Sequence, residues 1–147
     1  MEIRKAITDD IDSLAVLLNE LENYNFSFHK PSPNEVCTGD EIKDFIRGYL
    51  KNPHATVFIA KEGNESIGYV HIHHNKYGKY CVLEDLFVLE KYRGNGVGKK
   101  LLKLAEEWAQ KRSPKLKAEV FKWNRIAREF YQRKGYKTNV LVYVKKF

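Results

Sequence analysis

Cysteine is nearly absent from this 147-residue chain: Cys37 and Cys81 are the only two, and neither belongs to a Cys-x-x-Cys pair. That count excludes a disulfide framework, and the spacing gives no sign of a metal or dithiol redox site. Long hydrophobic runs are missing as well. No stretch approaches the roughly 18 apolar residues of a membrane span, and Met1–Ile7 lacks the apolar core of a secretory leader. The expectation is a cytoplasmic protein without membrane contact. There are no internal repeats, low-complexity tracts or signs of a second domain. With 43% hydrophobic and 13% aromatic residues, positions 1–147 read as one domain with one core.

Charge is present but unevenly spread. Residues 1–90 hold 9 Lys/Arg against 15 Asp/Glu, and residues 91–147 hold 17 against 4. A basic C-terminal half suits a polyanionic small molecule, and an acidic N-terminal half suits a cationic one. The overall charge of +7 comes with no nucleic-acid reader motif, so no nucleic-acid partner is expected. His71 and His73 share a strand face, but no Asp, Glu or Cys stands at ligand spacing from them, and no metal is expected.

The segment from Leu83 to Lys99 is the most informative. A strand-like Leu83-Glu84-Asp85-Leu86-Phe87-Val88 leads into Arg93-Gly94-Asn95-Gly96-Val97-Gly98 and then an amphipathic helix. The first amides of a helix lack internal partners and sit at the positive end of its dipole, so they attract phosphate. Glycine lets that backbone come close to its ligand. Lys100 stands where a Walker loop needs Ser or Thr, and the third glycine is misplaced for a dinucleotide fingerprint.

The Arg93–Gly98 pattern after a Leu-Glu-Asp-Leu-Phe-Val strand resembles the coenzyme A loop of the GNAT N-acetyltransferase superfamily. Asn124-Arg125-Ile126-Ala127-Arg128-Glu129-Phe130-Tyr131, followed by Gly135-Tyr136, is similar to that family's Asn-x-x-Ala-x-x-Phe-Tyr motif. There is a narrower resemblance to polyamine and diamine acetyltransferases. The resemblance implies direct transfer of an acetyl group from acetyl-CoA to a primary amine of a small molecule, a polyamine or diamine being the narrower expectation. Alternatives are protein or peptide N-acetylation and a non-catalytic acyl-CoA sensor. A homodimer is common among similar proteins and is expected here.

The periodicity fits an α/β fold with a mixed, mostly antiparallel sheet flanked by helices, in the order βααβββαβαβ. Glu2–Ile7 reads as a strand, and Thr8 or Asp9 caps a helix ending near Asn23. Tyr24–Val36 reads as a loop over the acceptor site. Thr38–Glu41 is a capping box opening a second helix that stops at Asn52-Pro53. Strands follow at 56–61, 66–74 and 80–89. A helix after the glycine loop ends at Ser113-Pro114, a strand covers 116–121, Asn124 caps the last helix, and Val140–Val144 reads as a closing strand.

An alkylamine with a pKa near 10.4 is neutral in only about one molecule in 10³ at pH 7, so a general base is useful. Glu84 is the candidate, expected on the face of Val82, Leu86 and Val88, and similar enzymes use this glutamate through water. A glutamate that binds Arg, Lys or solvent is the structural alternative. Asp85 points to the other face in a regular strand, and a bulge would let it bind a cationic substrate. Glu20 and Glu22 are further cation contacts. Tyr131 is the candidate general acid for the departing thiolate, with a core-packing role as its alternative. The family pattern sets Leu86, Phe87 and Val88 along pantetheine, with Asn124 on the same arm. Gly94, Asn95, Gly96, Val97, Gly98 and Lys99 would hold the pyrophosphate, with Arg93 adding positive charge. Tyr136 reads as packing.

Overall fold

A computed structural model describes all 147 residues. The strands are β1 (Glu2–Lys5), β2 (Ala55–Glu62), β3 (Glu65–Asn75), β4 (Tyr80–Val88) and β5 (Leu116–Ala118). The helices are α1 (Ile11–Phe26), α2 (Gly39–Lys51), α3 (Val97–Gln110) and α4 (Arg125–Arg133). The sheet runs β1-β2-β3-β4-β5, antiparallel except for the β4–β5 pair.

Each face of the sheet has its own core. Leu14, Leu17 and Leu18 of α1 and Ile42 and Ile46 of α2 cover Val57, Ile59, Tyr69 and Phe87. Leu101, Leu102 and Ala105 of α3 cover Val70, Ile72, Leu83 and Val88 on the other. Full burial of each large aliphatic side chain contributes about 1.5–3 kcal/mol, so the helical stripes fix which sheet face each helix takes.

Local chemistry explains most boundaries. At α2, Thr38 Oγ1 accepts the Glu41 amide at 3.2 Å while the Thr38 amide donates to Glu41 Oε2 at 2.6 Å, the reciprocal bonds of a capping box. The start of α1 departs from expectation. Thr8–Asp10 form a 3-10 turn, and buried Asp10, rather than Thr8 or Asp9, receives the Ile7 amide at 2.8 Å and both Arg4 nitrogens at 2.7 and 2.8 Å. The helix then continues to Phe26, three residues beyond the expected end.

Two corrections concern the C-terminal half. The strand expected over 116–121 stops at Ala118, and Val140–Val144 forms no closing strand at all. Val140, Leu141, Val142, Tyr143 and Val144 are all exposed. Five apolar residues in succession suit a strand covered on both faces, and a three-residue β5 edge supplies no such cover. The order is therefore βααβββαβα.

Candidate acyl-transfer site

The site lies where β4 and β5 part. Their pairing covers only Cys81–Leu83 against Leu116–Ala118, so β4 from Glu84 to Val88 has no strand neighbour on that side. A backbone edge left open in this way can pair with an extended amide-bearing ligand.

Beyond the edge comes the glycine loop. Gly94 and Gly96 take φ of +80° and +81°, values that glycine adopts without steric cost, and Gly96 caps α3. The first helical amide with an acceptor in this turn is Lys100, bonded to the Gly96 carbonyl at 3.0 Å. The amides of Gly94, Asn95, Gly96, Val97, Gly98 and Lys99 have no protein acceptor, so they form a run of free donors at the positive end of α3. The Arg93 side chain does not join them. Its Nε donates to the Val88 carbonyl at 2.8 Å, and its guanidinium lies 5.0 Å from the Tyr24 ring and 5.5 Å from the Phe87 ring. Arg93 thus fastens the end of β4 to α1.

A β-bulge sets the chemistry of the opposite side. Asp85 pairs with His71 and Leu83 pairs with Ile72, leaving Glu84 as the extra residue of β4. The bulge reverses the alternation. Glu84 shares a face with Val82, as expected, but Leu86 and Val88 turn to the α3 core, while Phe87 joins the α1–α2 core. Glu84 and Asp85 therefore face the same side. Half-exposed Glu84 has Oε1 2.6 Å from His73 Nε2. Asp85 is buried more deeply, with Oδ2 4.0 Å from His71 Nδ1.

That distance is too long for a hydrogen bond, and burial decides the charge states. Loss of solvent, with Glu84 and Glu22 adding negative charge, pushes Asp85 up to about 6. Burial, with His73 nearby, pushes His71 down to about 4. The imidazole is neutral at pH 7, so the two residues do not form a salt bridge. Tyr49 of α2 stacks on His71 with centroids 3.8 Å apart and planes 22° apart, and burial raises its phenol to about 12. Glu22, half-buried on α1, is also raised by loss of solvent. Glu20 is exposed and does not join this group: Glu22 follows Leu18 by four residues on the inward face, and Glu20 lies half a turn away.

Tyr131 packs against Phe130 and Tyr136 at 5.4 and 5.2 Å between centroids. Burial first and the Asp85 carboxylate second raise its phenol well above the usual range, which keeps the proton on the oxygen. Tyr136 packs as expected, and its hydroxyl donates to Glu106 Oε1 at 3.0 Å. Asn124 caps α4 by accepting the Ala127 amide at 3.1 Å, which leaves its side-chain NH₂ as the group it can offer elsewhere. Phe28 stacks on Trp123 at 4.1 Å and Phe121 on Trp123 at 5.3 Å, so the segment after α1 is tied to the segment before α4. Sequence reasoning singled out neither Tyr49 nor Tyr69; the alternation of Tyr69, His71 and His73 along β3 is the signal that groups these three on one face.

Comparison with known proteins agrees with this arrangement. The pattern described as the acetyltransferase (GNAT) family matches residues 17–136. An uncharacterized N-acetyltransferase of Bacillus subtilis is 30% identical over 141 residues, covering 92% of this chain and 89% of that one. A thialysine N-epsilon-acetyltransferase of Mus musculus is 26% identical over 145 residues, covering 90% and 82%. The fold superposes on an aminoglycoside N-acetyltransferase crystallised with CoA at a TM-score of 0.79 and 21% identity, covering 99% and 93%. With a split sheet edge, a run of free amides and a match over residues 17–136, the chain belongs to the acetyltransferase (GNAT) family and is an acyl-CoA-dependent N-acetyltransferase.

Proposed function

We propose that the protein transfers acetyl from acetyl-CoA directly to a primary amine of a small cationic molecule, a diamine or polyamine. The observation that carries this reading is the bulge, which turns Glu84 and Asp85 to one side near Glu22. Three carboxyl groups in a cleft with no Lys or Arg among the groups that perturb Asp85 favour a polycation. A relative whose name specifies an ε-amine acceptor supports the same class. The Phe28–Trp123 stack ties down the segment beside the cleft, which favours a small acceptor over an extended peptide.

In this reading the free amides of Gly94–Lys99 hold the pyrophosphate and the open edge of Leu86, Phe87 and Val88 pairs with the pantetheine amides. Asn124 contacts that arm through its NH₂. Asp85 and Glu22 hold one ammonium of the acceptor, and Glu84 takes a proton from the other, reacting ammonium through water, with His73 adjacent. The amine nitrogen attacks the thioester carbon, the C–N bond forms, the C–S bond breaks, and the nitrogen sheds its second proton to water. The thiolate takes the Tyr131 proton, the proton shed by the nitrogen returns through water to the Tyr131 oxygen, and CoA thiol leaves. A backbone amide of β4 aimed at the thioester oxygen would contribute about 3–4 kcal/mol to the barrier reduction. Cys37 and Cys81 are free thiols, as suits the cytoplasm, and no helix is long and apolar enough to cross a membrane.

Release of CoA thiol from acetyl-CoA, followed across diamines, polyamines, amino acids, aminoglycosides, aminophosphonates and peptides, tests the reading. Turnover with diamines or polyamines is expected. Turnover confined to peptides, or acetyl-CoA binding with no turnover, contradicts it.

The homodimer belongs to the same proposal, since Val140–Val144 exposes a continuous apolar strand-forming segment of the kind that pairs with another chain. Light scattering should give about twice the 17.2 kDa chain mass; a monomer mass removes this part.

A further inference from the structure

Tyr69 and His71 are 3% and 4% exposed, yet the Tyr69 hydroxyl and His71 Nδ1 are buried without any hydrogen-bond partner. Folded proteins rarely leave such atoms unsatisfied, and an exception calls for a missing water or ligand. The two residues are two apart on β3, facing one side, opposite Phe87 and Asp85 of β4. Tyr69 also points its hydroxyl toward Asp85, close enough for a weak hydrogen bond to lower the carboxyl and raise the phenol but too far to satisfy the hydroxyl. His71 Nδ1 and Asp85 Oδ2, 4.0 Å apart, are too far apart to bond and close enough to bond the same small group. The stacked Tyr49 ring holds the imidazole plane.

All three groups can accept. A neutral imidazole with its proton on Nε2 offers the Nδ1 lone pair, the phenol offers an oxygen, and the carboxylate offers Oδ2. The other titratable groups around them are Glu22 from α1, Tyr49 from α2, His73 from β3, Glu84 from β4 and Tyr131 from α4, none of them a lysine or arginine. A water molecule brings two donors and no charge. A primary ammonium brings three donors and a positive charge.

We propose that the Tyr69 hydroxyl, His71 Nδ1 and the Asp85 carboxylate form a three-point seat for the acceptor's second, non-reacting primary ammonium group, one acceptor for each N–H. This rests on the amine-acetylating reading above and sharpens it: the chain selects primary over N-methylated amines. A methyl group in place of one N–H would leave a buried acceptor unpaired, which costs binding more than the loss of the bond itself. Burial keeps the imidazole unprotonated at neutral pH, so its lone pair is available to the ligand throughout that range.

The test compares a diamine with its N,N′-dimethyl derivative in wild type, Tyr69→Phe and His71→Phe. Wild type should favour the unmethylated diamine at least tenfold in kcat/KM. Each variant should raise KM for the diamine about tenfold, leave KM for acetyl-CoA unchanged, and bring the preference toward unity. A purely structural role would move both KM values or neither. Tyr69→Phe removes a single oxygen and carries the test if His71→Phe does not fold. Variants that acetylate the diamine with wild-type KM and wild-type preference overturn the seat while leaving the broader reading intact. A wild-type protein that acetylates neither compound overturns the broader reading, and the seat with it.

Discussion

Tyr131→Phe is expected to lower kcat by about 10²- to 10⁴-fold, the usual contribution of a positioned general acid, while leaving acetyl-CoA affinity unchanged. The argument begins with where the phenol sits. Burial and the Asp85 carboxylate both disfavour the phenolate, so the proton stays on the oxygen across the range in which an amine can be acetylated. A thiolate leaving into the same cleft is also disfavoured as a charge by loss of solvent, and transfer of one proton removes that charge as it forms. Phenylalanine keeps the ring contacts with Phe130 and Tyr136 and deletes only the hydroxyl. A packing role for Tyr131 therefore predicts little change in kcat, and single-turnover acetyl transfer at saturating amine separates the two.

The second large effect is a pair of opposite pH responses in stability. Asp85 has a folded-state pKa of about 6, above the ordinary 3.8–3.9, so its charged form weakens the fold. The cost is full above pH 6 and disappears as pH falls toward 4. His71 has a folded-state pKa of about 4, below the ordinary 6.5. It is neutral in both folded and unfolded chains at pH 7 and contributes nothing there, and a cost builds as pH falls from about 6.5 to 4, where the unfolded chain protonates first. Each shift of about two units corresponds to about 3 kcal/mol, and in the native chain the two nearly cancel between pH 4 and 6. Asp85→Asn should therefore be more stable than wild type at pH 7 and lose that margin by pH 4. His71→Phe should gain stability relative to wild type over the same fall. Urea denaturation of the apo protein at pH 7, 5.5 and 4 reads both differences, and variants whose curves run parallel to wild type contradict the assigned charge states.

Features written in a few neighbouring residues were legible in the sequence. The Thr38–Glu41 capping box and the glycines before α3 each act locally, and the structure has them where the sequence places them. What depends on another strand was not legible. Alternation along Leu83–Val88 put Glu84 on the face of Leu86 and Val88, and only the register with β3 reveals the extra residue that turns Glu84 and Asp85 to one side. Val140–Val144 has strand composition without a partner to complete it. Arg93 stands in a phosphate-binding pattern, yet the nearest acceptor and aromatic rings draw its side chain back to β4 and α1. Glu20 and Glu22 look equivalent until the helix phase separates them.

The central claim, acetyl transfer from acetyl-CoA to a small primary amine in the cleft between β4 and α4, is tested most directly by mass analysis of products with a diamine. The account predicts a mono-acetylated diamine formed in step with CoA thiol, and no acetylated protein at any point. Acetyl-CoA consumption that leaves the diamine unmodified, or acetyl retained covalently on the protein, would contradict it.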